Sequence, residues 1–167
     1  VRGILANQAA ATLSVIQLKE KHKGLAEHDG LTGLFNRRAF DDHLTRAIAR
    51  EDRQDGRFTL LLADVDHFKK LNDTYGHPAG DAALASVARV LGRTLRKGDL
   101  AARYGGEEFA LVLYAPTGAD PTVVPEQIRR DIMALDIPHA NADGTRMLTV
   151  SIGSATAQSD TKRSLAG

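Results

Sequence analysis

Residues 99–114 read DLAARYGGEEFALVLY. Two apolar runs, DLAARY (99–104) and EFALVLY (108–114), flank Gly105-Gly106, which is the pattern of two strands joined by a two-residue hairpin. Adjacent residues on an extended strand point to opposite faces, so of Glu107 and Glu108 only one can join an acid from a neighbouring strand. The other must serve elsewhere.

A partner strand lies upstream. FTLLLADVD (58–66) is nearly continuous in apolar residues and carries acids only at its end, as a central sheet strand does. Asp64 and Asp66, two apart, share one face of it. HFKKLNDTYG (67–76) reads as a short helix closing at Gly76. Residues 79–96 read as a longer helix with Leu84, Val87, Ala88, Leu91 and Leu95 inward. In HDGLTGLFNRRAF (28–40), Gly30 and Gly33 mark a turn and Asn36 caps a helix that sets Phe40, Leu44 and Ile48 on one face and ends near Asp55-Gly56. Downstream come a helix over Glu126–Leu135 burying Ile128, Ile132 and Leu135, a turn at Asn141–Gly144, and a last strand RMLTVSIGSAT (146–156). Strands and helices alternate around one central hairpin. That predicts an α/β (α+β) fold, a mixed sheet with helices on its faces in a ferredoxin-like layer architecture.

With 167 residues, 43% hydrophobic and 26% charged, the chain suits one globular domain. Its 22 basic and 21 acidic residues give no overall field for nucleic acid. The absence of cysteine excludes disulfides and thiolate chemistry, and no apolar run approaches the roughly 20 residues that span a bilayer. A cytoplasmic location is expected, with anchoring upstream left open. Residues 1–26 read as a helical linker in which Ile4, Ala11, Leu18 and Leu25 recur every seven residues. It is either an amphipathic helix lying on its own domain or a parallel dimer stalk. The opening valine suggests a piece of a longer protein.

Two carboxylates meeting across adjacent strands suit Mg²⁺, a hard ion that takes oxygen ligands and keeps waters and substrate phosphates as the rest. Acids at strand ends can also be merely solvated. Just beyond Asp66, helix-start amides with Lys69 and Lys70 make an anion site. There is no GxxxxGK[ST], so any nucleotide site here lacks a P-loop.

RYGGEEF (103–109), DGLTGLFNRR (29–38), DVDHFKKLNDTYGHPAGD (64–81) and SIG (151–153) stand in the order and spacing of one family over about Glu27 to Ser154. The chain resembles a diguanylate cyclase of the GGDEF family, in its GGEEF form. The resemblance implies a palm-type nucleotidyl cyclase domain over residues 27–167 that condenses two GTP into cyclic di-GMP and pyrophosphate. It implies Mg²⁺, with Mn²⁺ as substitute, on Asp64, the Val65 carbonyl and Glu107, with Glu107 also the base. The amides of His67, Phe68 and Lys69 and the Lys69 ammonium would take phosphates, and Glu108 would have a supporting role. Asn72 and Asp81 would read guanine, His77 would lie in the substrate-binding stretch, and Gly105 and Gly106 would lie against the nucleotide.

Arg96 and Asp99 match the family's RxxD inhibitory site for product cyclic di-GMP, with Arg129 or Arg130 as the further arginine. A homodimer for catalysis and an upstream sensor domain are implied as partners. Two departures stand out: the family's last helix and strand have no counterpart after SIGSAT, and His67 replaces a frequent aromatic residue. A catalytically silent cyclic di-GMP or GTP sensor and a dimerisation scaffold are the competing readings.

Overall fold

Two antiparallel central strands organise the domain. In the computed structural model, which describes residues 27–54, 57–114, 120, 122–139 and 146–158, the strands are β1 (Phe35–Asn36), β2 (Arg57–Val65), β3 (Leu100–Arg103), β4 (Glu108–Tyr114) and β5 (Val150–Gln158). The helices are α1 (Arg37–Gln54), α2 (Phe68–Tyr75), α3 (His77–Thr94) and α4 (Val123–Met133). The heptad of residues 1–26, the Asp55-Gly56 helix end, the 141–144 turn and residues 159–167 lie outside the described residues.

The sheet runs β1-β3-β4-β2-β5, with β1 parallel to β3 and the other neighbours antiparallel. It is the expected mixed sheet. Alternation along β2 and β4 sends their odd-numbered residues to one core and their even-numbered residues to the other. Leu61, Ala63, Val65, Phe109, Leu111 and Leu113 pack under α2, α3 and α4. Phe58, Ala110 and Val112 join Phe40 of α1 on the opposite face. Both strands are therefore apolar on two sides, which is why they read as continuous hydrophobic runs. Phe109 is fully buried, and its truncation to alanine is expected to cost about 3–5 kcal/mol.

Asn36 caps α1, its Oδ1 accepting the Ala39 N–H at 3.0 Å. The buried stripe of α1 runs Phe40 to Ala47 instead of ending on Ile48, which is 48% exposed. The α4 helix starts at Val123, three residues before the expected Glu126, because Pro125 is tolerated in a first turn where its missing N–H has no acceptor to lose. Ile128 and Ile132 are buried while Leu135 is only half-buried against the core. The last strand is also shorter at its start than expected. Residues 146–148 pair instead with 137–139, through His139 N–H to the Arg146 carbonyl (2.9 Å) and Leu148 N–H to the Ile137 carbonyl (2.9 Å).

Candidate functional site

Asp64, next to last in β2, stands directly opposite Glu108, the first residue of β4. Both lie on the face that carries α1, at the end α1 does not cover, where Leu62 is 50% exposed. Leu62, Ala63, Asp64, Tyr104, Glu108 and Phe109 line a depression of about 130 Å³ there. Glu107 lies one residue outside the ladder, so strand alternation does not govern it, and its carbonyl accepts the Val65 N–H at 3.3 Å. Burial raises the Asp64 carboxyl above its ordinary value, and the charges of Glu108 and Asp66 add to this. Glu107 is raised in the same way, by burial first and then by Asp64 and Glu108. These acids therefore share one field. Glu108 does not face away, as expected, but joins Asp64.

The turn between β3 and β4 is also longer than expected. Four residues, Tyr104–Glu107, separate the strands, because the Tyr104 and Gly105 amides both donate to the Glu108 carbonyl, at 2.8 and 3.2 Å. Neither Gly105 nor Gly106 is among the glycines with positive φ. The Glu108 carboxylate folds back over Gly105, so a Cβ there would displace that exposed carboxylate. A Cβ on Gly106 would meet nothing within 4 Å, so that side of the turn is open.

The turn is held from outside. Arg103 donates from Nε and Nη2 to the Gly106 carbonyl (3.2 and 2.8 Å) and reaches Asp29 at 3.4 Å. Asp29 Oδ1 also accepts the Thr32 amide and hydroxyl at 2.9 and 2.7 Å. Burial pushes the Asp29 carboxyl up, but those bonds and the Arg103 charge outweigh it and hold the group below 3.8. Tyr104 lies under the Arg37 guanidinium, 4.5 Å from the ring centre, with Phe40 edge-on. The Asp29–Arg103 clamp was not legible in sequence, since the two residues sit 74 positions apart.

Beyond β2 the chain turns through His67, in left-handed backbone at φ 54°, into α2. The Lys70 and Leu71 amides both donate to the His67 carbonyl, at 2.9 and 3.2 Å. The earlier amides, His67 to Lys69, have no intrahelical acceptor to reach, and the Lys69 side chain is exposed. Asn72 lies against Gly80 of α3, and its Oδ1 is buried without a hydrogen-bond partner among the described residues. His77 and Asp81 are exposed in the first turns of α3. Asp64, Val65, Glu107 and the α2 start thus gather at one end of β2, with Asn72 on the following helix.

The Arg96–Asp99 segment forms a tight loop after α3. Asp99 accepts the Arg96 amide on one oxygen and the Tyr114 amide on the other, both at 3.0 Å, so it ties the loop to the end of β4. The Arg96 side chain is exposed. Arg129 faces a groove beside β5, with Ile152 and Ser154, and pairs with Glu126 at 3.2 Å. Arg130 is exposed and donates to the Glu126 carbonyl at 3.4 Å. Among the described residues no three acidic or histidine side chains form a closed metal cage, and no helix is long and apolar enough to cross a membrane.

The family description "Diguanylate cyclase, GGDEF domain" matches residues 26–166. The chain is 40% identical to diguanylate cyclase DgcM of Escherichia coli over 146 residues, 83% of this chain and 33% of that protein. It is 35% identical to the probable diguanylate cyclase DgcT of Escherichia coli, over 81% of this chain and 30% of that protein. It therefore spans about a third of the length of these relatives. Among solved structures, the coiled coil and GGDEF domain of DgcB from Caulobacter crescentus, in complex with c-di-GMP, aligns with a TM-score of 0.82 at 34% identity, covering 94% of this chain and 83% of that one.

Proposed function

This chain belongs to the GGDEF diguanylate cyclase family, and on that premise we propose that it condenses two GTP molecules into cyclic di-GMP and releases pyrophosphate. The observation that carries the reading is the meeting of β2 with the start of β4: Asp64 stands opposite Glu108, and the carbonyl of Glu107, the residue before it, accepts the Val65 N–H at 3.3 Å. Asp64, the Val65 carbonyl and Glu107 would hold Mg²⁺, or Mn²⁺ in its place. The donors fit such an ion: all are oxygens, and a divalent charge would relieve the repulsion between the carboxylates. With so few protein ligands, triphosphate and water would complete the shell. Such an ion would supply charge neutralisation at the phosphoryl oxygens and favour ionisation of the attacking hydroxyl.

The chain's own groups supply position. The His67, Phe68 and Lys69 amides cradle the terminal phosphates, and the Lys69 ammonium offsets their charge. Glu107 accepts the proton of the 3′-hydroxyl, and Glu108 supports the site. Asn72 Oδ1, a buried acceptor without a partner among the described residues, suits a base whose edge offers N–H donors, as guanine does and adenine does not in the same place. Asp81 reads the same edge, and His77 lies beside it. The open side of Gly106 leaves room for the nucleotide, and Gly105 lies with it.

Each subunit presents one GTP, so catalysis takes a homodimer, which a stalk over residues 1–26 would assemble under an upstream sensor. Arg96 and Asp99 form the product-inhibition site, the exposed guanidinium taking phosphate or a guanine edge bidentately. The test is incubation with GTP and Mg²⁺ and detection of cyclic di-GMP, with Glu107→Gln as control. Product from the wild type alone supports the reading. A silent wild type that still binds cyclic di-GMP would replace it with a sensor.

A further inference from the structure

Asp66 sits between the end of β2 and the start of α2, yet its side chain is committed to Ser151 of β5 and to Thr149, just before that strand. Its Oδ2 accepts the Thr149 hydroxyl and its Oδ1 the Ser151 hydroxyl, each at 2.6 Å. Its N–H donates to the Thr149 carbonyl at 3.0 Å. Thr149 and Ser151 alternate with Leu148, Val150 and Ile152, which pack in or against the larger core, so both hydroxyls leave the chain on the opposite face, toward Asp66. Three bonds therefore clamp the one residue that separates Val65 from His67.

The next residue is strained. His67 is a non-glycine residue at φ 54°, ψ 32°, a region that persists only where the surroundings over-determine it. On the helix side the Lys70 and Leu71 amides fix the His67 carbonyl. On the strand side the fixing groups are Thr149 and Ser151, acting through Asp66. Short hydroxyl-to-carboxylate bonds are the strong, directional kind, and with both oxygens occupied Asp66 is turned toward Thr149 and Ser151, while Asp64 stands opposite Glu108.

We propose that Asp66 is a positioning residue for the nucleotide site: with Thr149 and Ser151 it sets the direction in which the Val65 carbonyl and the His67–Lys69 amides leave β2. The inference rests on the reading of that site as a GTP site, and it assigns β5 a part in binding that no residue of β5 plays by contact.

The experiment compares wild type, the Thr149→Val/Ser151→Ala double variant and Thr149→Ser. It measures Mg²⁺-dependent affinity for a non-hydrolysable GTP analogue by calorimetry, hydrogen exchange at the Phe68 and Lys69 amides without ligand, and the melting temperature. The double variant is expected to lose about tenfold in affinity or more, as partners behind a binding group do, and to exchange Phe68 and Lys69 faster. Thr149→Ser, which keeps the hydroxyl, restores both. Unchanged affinity and exchange in the double variant overturn the proposal. So does a loss that follows the melting temperature and is not restored by serine. A wild type that binds the analogue and shows these differences, but forms no cyclic di-GMP, supports the inference and removes the cyclase reading. A wild type that binds no analogue overturns both.

Discussion

Asp64 and Glu108 are direct partners across the β2–β4 ladder, and Glu107 precedes Glu108 in the turn with its carbonyl on the Val65 amide. Burial raises the Asp64 and Glu107 carboxyls, and the repulsion among three carboxylates at one sheet end adds to it. Asp64→Asn and Glu107→Gln are each expected to lower cyclic di-GMP formation at least about a hundredfold, the loss of several kcal/mol of charge stabilisation. Neither should melt below wild type in metal-free buffer, because each removes a repulsion. Product analysis and thermal melts check both halves, and a lower melting temperature in both variants would contradict the repulsion.

Gly80 tests the guanine contact. A Cβ there would overlap Asn72 Oδ1 and stand 2.9 Å from its Cγ and 3.0 Å from Phe68 Cζ. Gly80→Ala is expected to destabilise the domain by about 1–3 kcal/mol and to weaken GTP binding by displacing Asn72. Asn72→Ala should weaken binding with little change in stability, since the buried Oδ1 has no partner among the described residues to give up. Denaturant melts and calorimetry separate the two effects.

The Asp29–Arg103 clamp carries a pH signature. Asp29 is held below 3.8 in the folded chain, so its contribution is present above that value and fades as pH falls through the folded value. Asp29→Asn is expected to lower stability near neutral pH by about 1 kcal/mol, with the gap closing in acid. Melting temperatures of both proteins across that range check the sign; a gap that widens in acid would contradict it.

Arg96 and Asp99 should behave differently. Arg96→Ala is expected to weaken cyclic di-GMP binding about tenfold or more without changing the melting temperature, as two charge-assisted hydrogen bonds are lost from an exposed side chain. Asp99→Ala removes the carboxylate that accepts the Arg96 and Tyr114 amides and should also cost about 1–3 kcal/mol of stability. Calorimetry beside melting curves distinguishes a ligand contact from a loop tie.

Much of the fold was legible because both central strands carry their apolar residues on two faces. EFALVLY is β4 residue for residue, and FTLLLADVD overlaps β2 within one position at each end. The Asn36 cap was legible because its chemistry is local. The four-residue turn was not, since it depends on two amides sharing the Glu108 carbonyl. Nor was the direction of Glu108, because the alternation expected of Glu107 stops at the strand end. The two-residue β1 is too short for any periodicity to announce it. The hydroxyls that hold Asp66 come from 83 and 85 positions downstream, and no local pattern marks them as its partners.

Manganese, proposed as a substitute for magnesium at this site, would report its ligands directly. Electron paramagnetic resonance of Mn²⁺ with a non-hydrolysable GTP analogue is expected to show an ion bound in the wild type only when nucleotide is present, and lost in both Asp64→Asn and Glu107→Gln. An ion held equally by either variant would contradict the shared site at the end of β2.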